Sequence, residues 1–478
     1  MDTLTQVIDY INDDILYEYV LVILLIGLGI YFTFRTRFVQ IRLFREMFRV
    51  IKDEVDAKRK GISAFQAWAI STASRVGTGN MAGVALAITA GGPGAVFWMW
   101  VIALIGGATS FVESTLAQVY KVKDGDTFRG GPAYYIKNGL RSNKMAILFS
   151  VLITVTYGFI FNAVQTNTVT VAFENSFHSN RLLLGIVLAV IAGLIIFGGV
   201  KRIARFTGVV VPIMATIYIA VAVFVLLINI TDVPEMIALI FKNAFGLKEF
   251  VGGGIGAAIL QGVKRGLFSN EAGLGSAPNA AATANVSHPV KQGLVQMLSV
   301  FTDTLLICSA TAFMILISGT WTNANASDGI RLTQAAMESL VGSWAGPFVG
   351  ISILLFAFSS IIGNYYYGES NILFHTESKQ LLTTYRVITL LFILFGAVTS
   401  VPLIWSLADL FMALMALTNL LAITLLSKIV FTVLQDYMKQ KKQGKTPIFK
   451  RSTLPWLKNI ECWSDEDMQS YEKGRHLH

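Results

Sequence analysis

Residues Ser74 to Asn80 read Ser-Arg-Val-Gly-Thr-Gly-Asn, a polar heptad with two glycines lodged in an apolar stretch, 64–90, long enough to cross a bilayer. In hydrocarbon an unsatisfied backbone amide costs several kcal/mol, so unwound chain at that depth persists only where it is buried in protein or lines a watery cavity. Glycines on both sides of Thr78 let the helix break there. The freed N–H and C=O groups then become ligands for an ion or a small polar solute, the working principle of discontinuous helices. A second interruption, Lys264-Arg265-Gly266-Leu267-Phe268-Ser269-Asn270-Glu271-Ala272-Gly273, places three ionisable groups and two glycines within ten residues. It too must face protein or water. The breaks stand five expected spans apart, in the second and the seventh, a spacing that points to an inverted repeat with a site near the midplane.

Other charges fall inside apolar segments: Arg75, Glu113, Asp303 and Glu369 join Glu271. Intramembrane charges are functional candidates by default, with pairing as the competing account. For Arg75 the expectation is a structural ion pair, to Glu271 or Asp303, in preference to substrate contact. Asp303 is open between binding a cation, relaying a proton and satisfying a broken helix. Ser359 and Ser360 could offer two hydroxyls to a hard cation alongside backbone carbonyls, or simply bond back to the preceding helical turn.

The elements that must position these groups follow from composition. Of 478 residues, 54% are hydrophobic and 14% charged, with mean hydropathy +0.61, which excludes soluble globular domains. The expected fold is an all-α polytopic membrane protein with about eleven spans, near 19–34, 64–90, 95–119, 145–173, 182–199, 208–230, 251–285, 293–318, 344–370, 386–401 and 404–430. With the N-terminus outside, nine Lys/Arg between Arg35 and Lys60 and six between Lys121 and Lys144 lie in the cytoplasm, whereas the opposite loops carry Arg181, Lys242, Lys248 and Arg331. The C-terminus is then cytoplasmic. Residues 1–18 hold five acidic and no basic side chains, unlike a signal-peptide start, so the first span is expected to be retained. The division is an external N-terminus (1–18), a first helix (19–34), a basic amphipathic segment (35–62), a ten-helix core (63–430) and a basic tail (431–478).

The net charge of +9 is distributed over loops beside spans, which argues for topology and against nucleic acid. Cys308 and Cys462 form no disulfide framework and no metal-ligand spacing. The five histidines fall in loops or the tail without a nucleophile and base arrangement, so no enzyme activity, prosthetic group or ATP is expected. Phe38, Ile41, Phe44, Phe48 and Ile51 alternate with Arg42, Arg45, Arg49 and Lys52 at helical spacing. That pattern fits either an interfacial amphipathic helix or one packed on the bundle. Asp232 to Phe250 reads as a surface helix, a packing element rather than a lid, and the basic stretch Lys439 to Arg451 is suited either to anionic headgroups or to a solvated end.

The strings Arg-Val-Gly-Thr-Gly-Asn-Met-Ala-Gly-Val-Ala (75–85), Gly-Gly-Pro-Gly-Ala-Val-Phe-Trp-Met-Trp (91–100), Arg-Gly-Gly-Pro-Ala-Tyr-Tyr-Ile (129–136) and Arg-Gly-Leu-Phe-Ser-Asn-Glu-Ala-Gly (265–273) resemble the alanine/glycine:cation symporters, also known as the sodium:alanine symporters. The resemblance extends over roughly residues 60–430. It implies the leucine-transporter fold, a 5+5 inverted repeat with two broken helices, preceded here by one extra helix. It further implies a sodium site from the carbonyls of Ala73, Val76 and Phe356 and the hydroxyls of Ser359 and Ser360. The amino-acid carboxylate would meet the amides around Thr78 and Gly79, and Asn80, Gln165, Phe268, Ser360 and position 364 would line the pocket. Alanine carriers of the family have tryptophan at 364, whereas this chain has Asn364. Exchanging an indole for a carboxamide enlarges the pocket and adds a donor and an acceptor, which points to a glutamine-transporting branch; the alternative is that Tyr365 or Tyr366 refills the space and alanine or glycine stays the substrate. The implied function is sodium-coupled import of small neutral amino acids by alternating access across a cell membrane, the bacterial plasma membrane. Proton coupling and an ion channel are the alternatives, and oligomeric state is left open.

Overall fold

In lipid the backbone must satisfy itself, so long apolar runs resolve into helices. The computed structural model describes residues 2–52, 61–197, 199–246, 254–325, 328–465 and 468. Among the described residues, eight helices are long and apolar enough to cross a membrane. The helices used below are α1 Leu4–Arg35, α2 Ala64–Arg75, α3 Gly79–Gly91, α4 Gly94–Val119, α5 Asn143–Phe177, α6 Arg181–Ile196, α7 Arg205–Ile228, α8 Ile255–Asn270, α9 Ala277–Thr283, α10 Pro289–Ser318, α11 Ala345–His375, α12 Lys379–Val398 and α13 Val401–Lys442. The α2/α3 and α8/α9 pairs are the two interrupted segments. Around them α4 packs on α8 and α10, while α5 packs on α11 and α12.

Helix α1 starts well before the expected residue 19, so residues 4–18 of the acidic stretch belong to it. The reason is long-range. Asn12 Nδ2 donates to the Ser406 carbonyl at 2.9 Å, Tyr17 Oη to the Asp409 carbonyl at 3.1 Å, and Asp13 pairs with Lys264 at 2.6 Å, so polar side chains that look loop-like are spent on α13 and α8. Helix α12 likewise begins at Lys379, ahead of the expected 386.

The second break turns through Glu271 (φ 58°), Gly273 (φ 95°) and Gly275 (φ 80°). Glu113 of α4 holds that turn. Its carboxyl oxygens accept from Gly273 N at 3.2 Å, Gly275 N at 3.1 Å and Asn419 Nδ2 at 2.8 Å, so an acceptor meets the free amides leading into α9.

At the end carrying the basic loops, Val122–Asp124 and Thr127–Arg129 form an antiparallel hairpin. The amphipathic segment forms two short helices, Val39–Arg42 and Phe44–Ile51. Val39, Leu43, Met47 and Val50 face the bundle while Phe38, Ile41, Phe44 and Phe48 stay exposed, so the segment has one apolar face for protein and another for lipid. Burial would raise the Glu46 carboxyl, but Lys441 at 2.5 Å and the Tyr437 hydroxyl at 2.7 Å hold it below its ordinary range. The tail is neither loose nor laid on headgroups along its length: residues 446–465 return to the bundle, with Ile448, Phe449, Ile460 and Trp463 buried. Phe449 N donates to the Ser287 carbonyl at 2.9 Å and Trp463 Nε1 to the Gln118 carbonyl at 2.9 Å. At the other end Val233–Ala244 packs on α4, where Trp98 Nε1 reaches the Ala244 carbonyl at 3.3 Å. Lys58, Arg59 and Lys60, the Lys248 to Phe250 end of that surface segment, and His476 and His478 lie outside the described residues.

His288, just ahead of α10, is buried between the Tyr437 and Phe449 rings, and its Nδ1 accepts from Val290 N, leaving Nε2 to donate to Asp436. Burial lowers its pKa from 6.5 to about 4, against the opposing pull of Asp436. The unfolded chain therefore takes up this proton first, and stability falls as pH drops from 6.5 to about 4, by up to about 3 kcal/mol. Thermal melting in detergent across that window should show the loss, and His288→Gln should flatten it.

Candidate functional site

The first break is built from both directions. Helix α2 stops at Arg75 and Val76 takes an extended backbone (φ −76°, ψ 96°), which turns the last carbonyls of α2 away from their helical partners. Ser360 of α11 reaches them. Its hydroxyl lies 2.9 Å from the Ala73 carbonyl, 3.1 Å from that of Val76 and 3.1 Å from that of Phe356, and the Ser359 hydroxyl lies 2.8 Å from the Phe356 carbonyl. Three carbonyls thus converge on the Ser360 hydroxyl, and Ser359 shares the Phe356 carbonyl while facing Met214 Sδ at 3.9 Å; the oxygens are of the type hard cations prefer. Gly77 makes the approach possible: a Cβ there would strike Ser360 Oγ and come within 2.6 Å of Gln165 Oε1.

The amide side of the break is equally committed. Gln165 Oε1, from α5, accepts from both Thr78 N and Thr78 Oγ1 at 2.9 Å, so a carboxamide oxygen already occupies the position a carboxylate oxygen would take at this helix start. Asn80 folds back to accept from Gly77 N at 2.8 Å and extends its Nδ2 to Asp303 Oδ1 at 2.7 Å and Ser269 Oγ at 3.1 Å. Gly79 lies against Phe268 and Ser269. The Phe268 ring sits between Phe161 at 4.8 Å and Trp405 at 4.7 Å, forming an aromatic cover over the break.

Among the residues expected at the site, Ala73, Val76, Thr78, Gly79, Asn80, Gln165, Phe268, Phe356, Ser359 and Ser360 are therefore brought together. Asn364 is not placed among Thr78, Gln165 and Phe268. One turn along α11 from Ser360, its Oδ1 accepts from Ser74 Oγ at 2.6 Å, the same hydroxyl that faces Glu271 Oε1 at 3.2 Å, and its buried Nδ2 has no hydrogen-bond partner among the described residues. The expected ion pair of Arg75 is absent among the described residues. Its guanidinium donates to the Gln296 carbonyl at 3.3 Å and lies 3.5 Å from Ser110 Oγ. Both candidate carboxylates are engaged elsewhere. Glu271, at the left-handed end of α8, accepts from Ser74 and from Ser276 Oγ at 2.7 Å, and Asp303 accepts from Asn80, Ser269 Oγ at 2.8 Å and Thr304 Oγ1 at 2.9 Å. Asp303 consequently ties the first break, through Asn80, to the second, through Ser269. Glu369 pairs with Arg386 at 3.0 Å.

Several participants escaped the sequence reading. Asp409 of α13 clasps Arg265 at 2.7 and 3.2 Å, and the guanidinium lies 4.7 Å from the Trp405 ring, immediately beyond the aromatic cover. An acid isolated in the apolar 404–430 run was the available signal. Ser74, Phe161, Ser269 and Trp405 carried none, because ordinary helical residues reveal a site only once their helix is placed.

With this geometry, the sodium:alanine symporter family model matches residues 1–451. The chain belongs to the sodium:alanine symporter family. It is a multi-pass membrane transporter, not an enzyme, and its relatives make it a cation-coupled amino-acid symporter. It is 57% identical over 461 residues to the "probable sodium/glutamine symporter GlnT" of Bacillus subtilis, covering 96% of each chain, and 54% identical over 460 residues to the "amino-acid carrier protein AlsT" of the same organism, covering 96% of this chain and 98% of that one. A "sodium/proton-dependent alanine carrier protein" of Bacillus sp. strain PS3 is 39% identical over 426 residues, covering 85% of this chain and 94% of its own. In fold the symporter is similar to MhsT in complex with L-phenylalanine, with TM-score 0.56 at 15% identity over 87% of this chain and 99% of that one. A manganese transporter of Eremococcus coleocola gives TM-score 0.51 at 11% identity, over 88% of this chain and 100% of its own.

Because a methyl at Gly77 would displace Ser360 and Gln165 together, Gly77→Ala should cut amino-acid uptake about tenfold or more, as expected for overpacking of about 1–3 kcal/mol. Gly27→Ala, where a Cβ meets nothing within 4 Å, should leave uptake unchanged at equal membrane abundance.

Proposed function

We propose that the symporter imports small neutral amino acids, glutamine foremost, with sodium as the coupling ion. The observation that carries this reading is the convergence of the Ala73, Val76 and Phe356 carbonyls on the Ser360 hydroxyl, with the Ser359 hydroxyl on the same Phe356 carbonyl. This neutral oxygen set suits a monovalent hard cation and offers no proton acceptor stronger than a carbonyl. The substrate carboxylate takes the amides of Thr78 and Gly79, with Gln165 adjusting, and Asn80, Phe268 and Ser360 line the cavity. Eight long helices, the two broken pairs and α6 make eleven crossings, an extra α1 followed by two five-helix halves. The basic loops place the N-terminus outside and the C-terminus in the cytoplasm of a bacterial plasma membrane. Because ion and substrate share the α2/α3 break, each stabilises the other's site, and rocking of one bundle against the other exchanges access.

Glutamine is supported by the 57% identical relative described as a probable sodium/glutamine symporter and by the unpartnered Asn364 carboxamide N–H, one turn from Ser360. Coupling by a proton is the second reading. It is favoured by Asp303, a buried carboxylate bridging both breaks, and by the relative described as sodium/proton-dependent.

Uptake in proteoliposomes with and without a sodium gradient at fixed pH should separate the two, and full transport without sodium would overturn the sodium assignment. Ser360→Ala should raise the sodium concentration for half-maximal uptake more than Asp303→Asn does, by about tenfold for one lost ligand of about 1.4 kcal/mol. In competition among alanine, glycine, glutamine and asparagine, glutamine should compete best. Asn364→Trp should shift preference toward alanine by a factor within the roughly 1–3 kcal/mol that one pocket change supplies; unchanged glutamine preference would place specificity elsewhere.

A further inference from the structure

At the basic end of the bundle, the last turn of α1 and the last turns of α13 enclose an open cavity of about 470 Å3. Arg35, Arg37 and Arg42 enter it from one wall and Lys439 and Lys442 from the other, and no acidic side chain lines it. All five are exposed, and none forms an ion pair with a carboxylate among the described residues. The nearby acid, Glu46, is already engaged by Lys441 and Arg49. The chain works to keep these charges together. Arg37 and Phe38 both adopt left-handed backbone, φ 56° and 55°, a conformation costly for residues with a Cβ. The turn is fastened by Phe38 N to the Thr33 carbonyl at 2.8 Å and by Arg42 Nη2 to the Thr36 carbonyl at 3.1 Å. Burial and then the like charge of Arg37 lower the pKa of Arg42, the sign of a cation crowded by another without a counter-ion.

The depth of the cavity identifies its occupant. Arg35 is the last residue of an apolar span, so the five charges stand at headgroup level, and exposed Tyr31, Phe34 and Phe38 run from them along the bilayer side of α1. The geometry points to a binding site for the phosphodiester headgroup of an anionic phospholipid, seated between α1 and the end of α13 with its acyl chains against that aromatic edge. At the opposite end α1 is fastened to α13 by Asn12 and Tyr17, whereas here the two helices meet through Arg35 and Tyr31 against the Phe431 ring. The lipid supplies the second fastening of the helix that precedes the transport core.

The test uses the full-length protein in neutral mixed micelles, titrated with phosphatidylglycerol or phosphatidylcholine and read by native mass spectrometry. Phosphatidylglycerol should be retained in preference to phosphatidylcholine. Arg37→Gln with Arg42→Gln should bind it about thirty-fold more weakly, each surface arginine being worth about a fivefold step, while Lys144→Gln with Lys379→Gln, an equal charge change elsewhere, should bind as the parent does. Excess inorganic phosphate should not displace the lipid. Equal retention of both lipids, equal loss in the two double variants, or displacement by free phosphate would each overturn the site. If the double variant melts early in phosphatidylcholine, Arg42→Gln alone is titrated, and undiminished retention there overturns the site as well. Lipid retention is read without transport, so it stands or falls independently of sodium coupling and substrate choice.

Discussion

Everything at the centre of this protein follows from one requirement: the backbone opened between Arg75 and Gly79 must find partners inside the protein. Three side chains supply them. Asn80 takes the Gly77 amide, Gln165 takes the Thr78 amide, and Ser360 reaches the carbonyls of Ala73 and Val76. Each comes from a different place, the break itself, α5 and α11, so the break can exist only when those helices are docked. Unpaired, these groups would each carry the desolvation cost that confines membrane-spanning backbone to regular helix.

The second break is stabilised differently. Its amides converge on a carboxylate, Glu113, which Asn419 steadies from α13, and Arg75 stands near Glu113, Glu271 and Asp303 without pairing with any of them in the structure described. Amide and hydroxyl side chains thus hold the first opening and a carboxyl group the second. Asp303, reaching Asn80 on one side and Ser269 on the other, is the polar bridge through which a change at either opening is felt at its counterpart.

Much of this was legible in the sequence because bilayer physics is severe. Glycines and charges inside apolar runs mark both breaks, and Ser359 and Ser360 stand out as adjacent hydroxyls in an otherwise apolar helix. What could not be read were pairings across hundreds of residues. Nothing in the acidic start of the chain, read as an external N-terminus, showed that Asn12 and Tyr17 are buried on α13. Nor did the basic stretch Lys439 to Arg451 show that the residues after it turn back and bury Trp463 against Gln118. Arg75 was matched to the wrong partners because local pattern fixes which residues are buried, not which way a guanidinium turns. Asn364 stood out by its position in a motif, but that Ser74 lies against it shows only once α2 is placed beside α11.

The returning tail changes how the protein must be handled and how it can be altered. Residues 446–465 lie over Ser287, Gln118 and Lys123, close to where α9 gives way to α10, with Glu461 accepting from the Lys123 amide. Residues 446–465 are therefore part of the wall around the end of the second broken helix. An edit that displaces residues 446–465 is not neutral at a distance; it uncovers Ser287 and Gln118 beside the second broken helix.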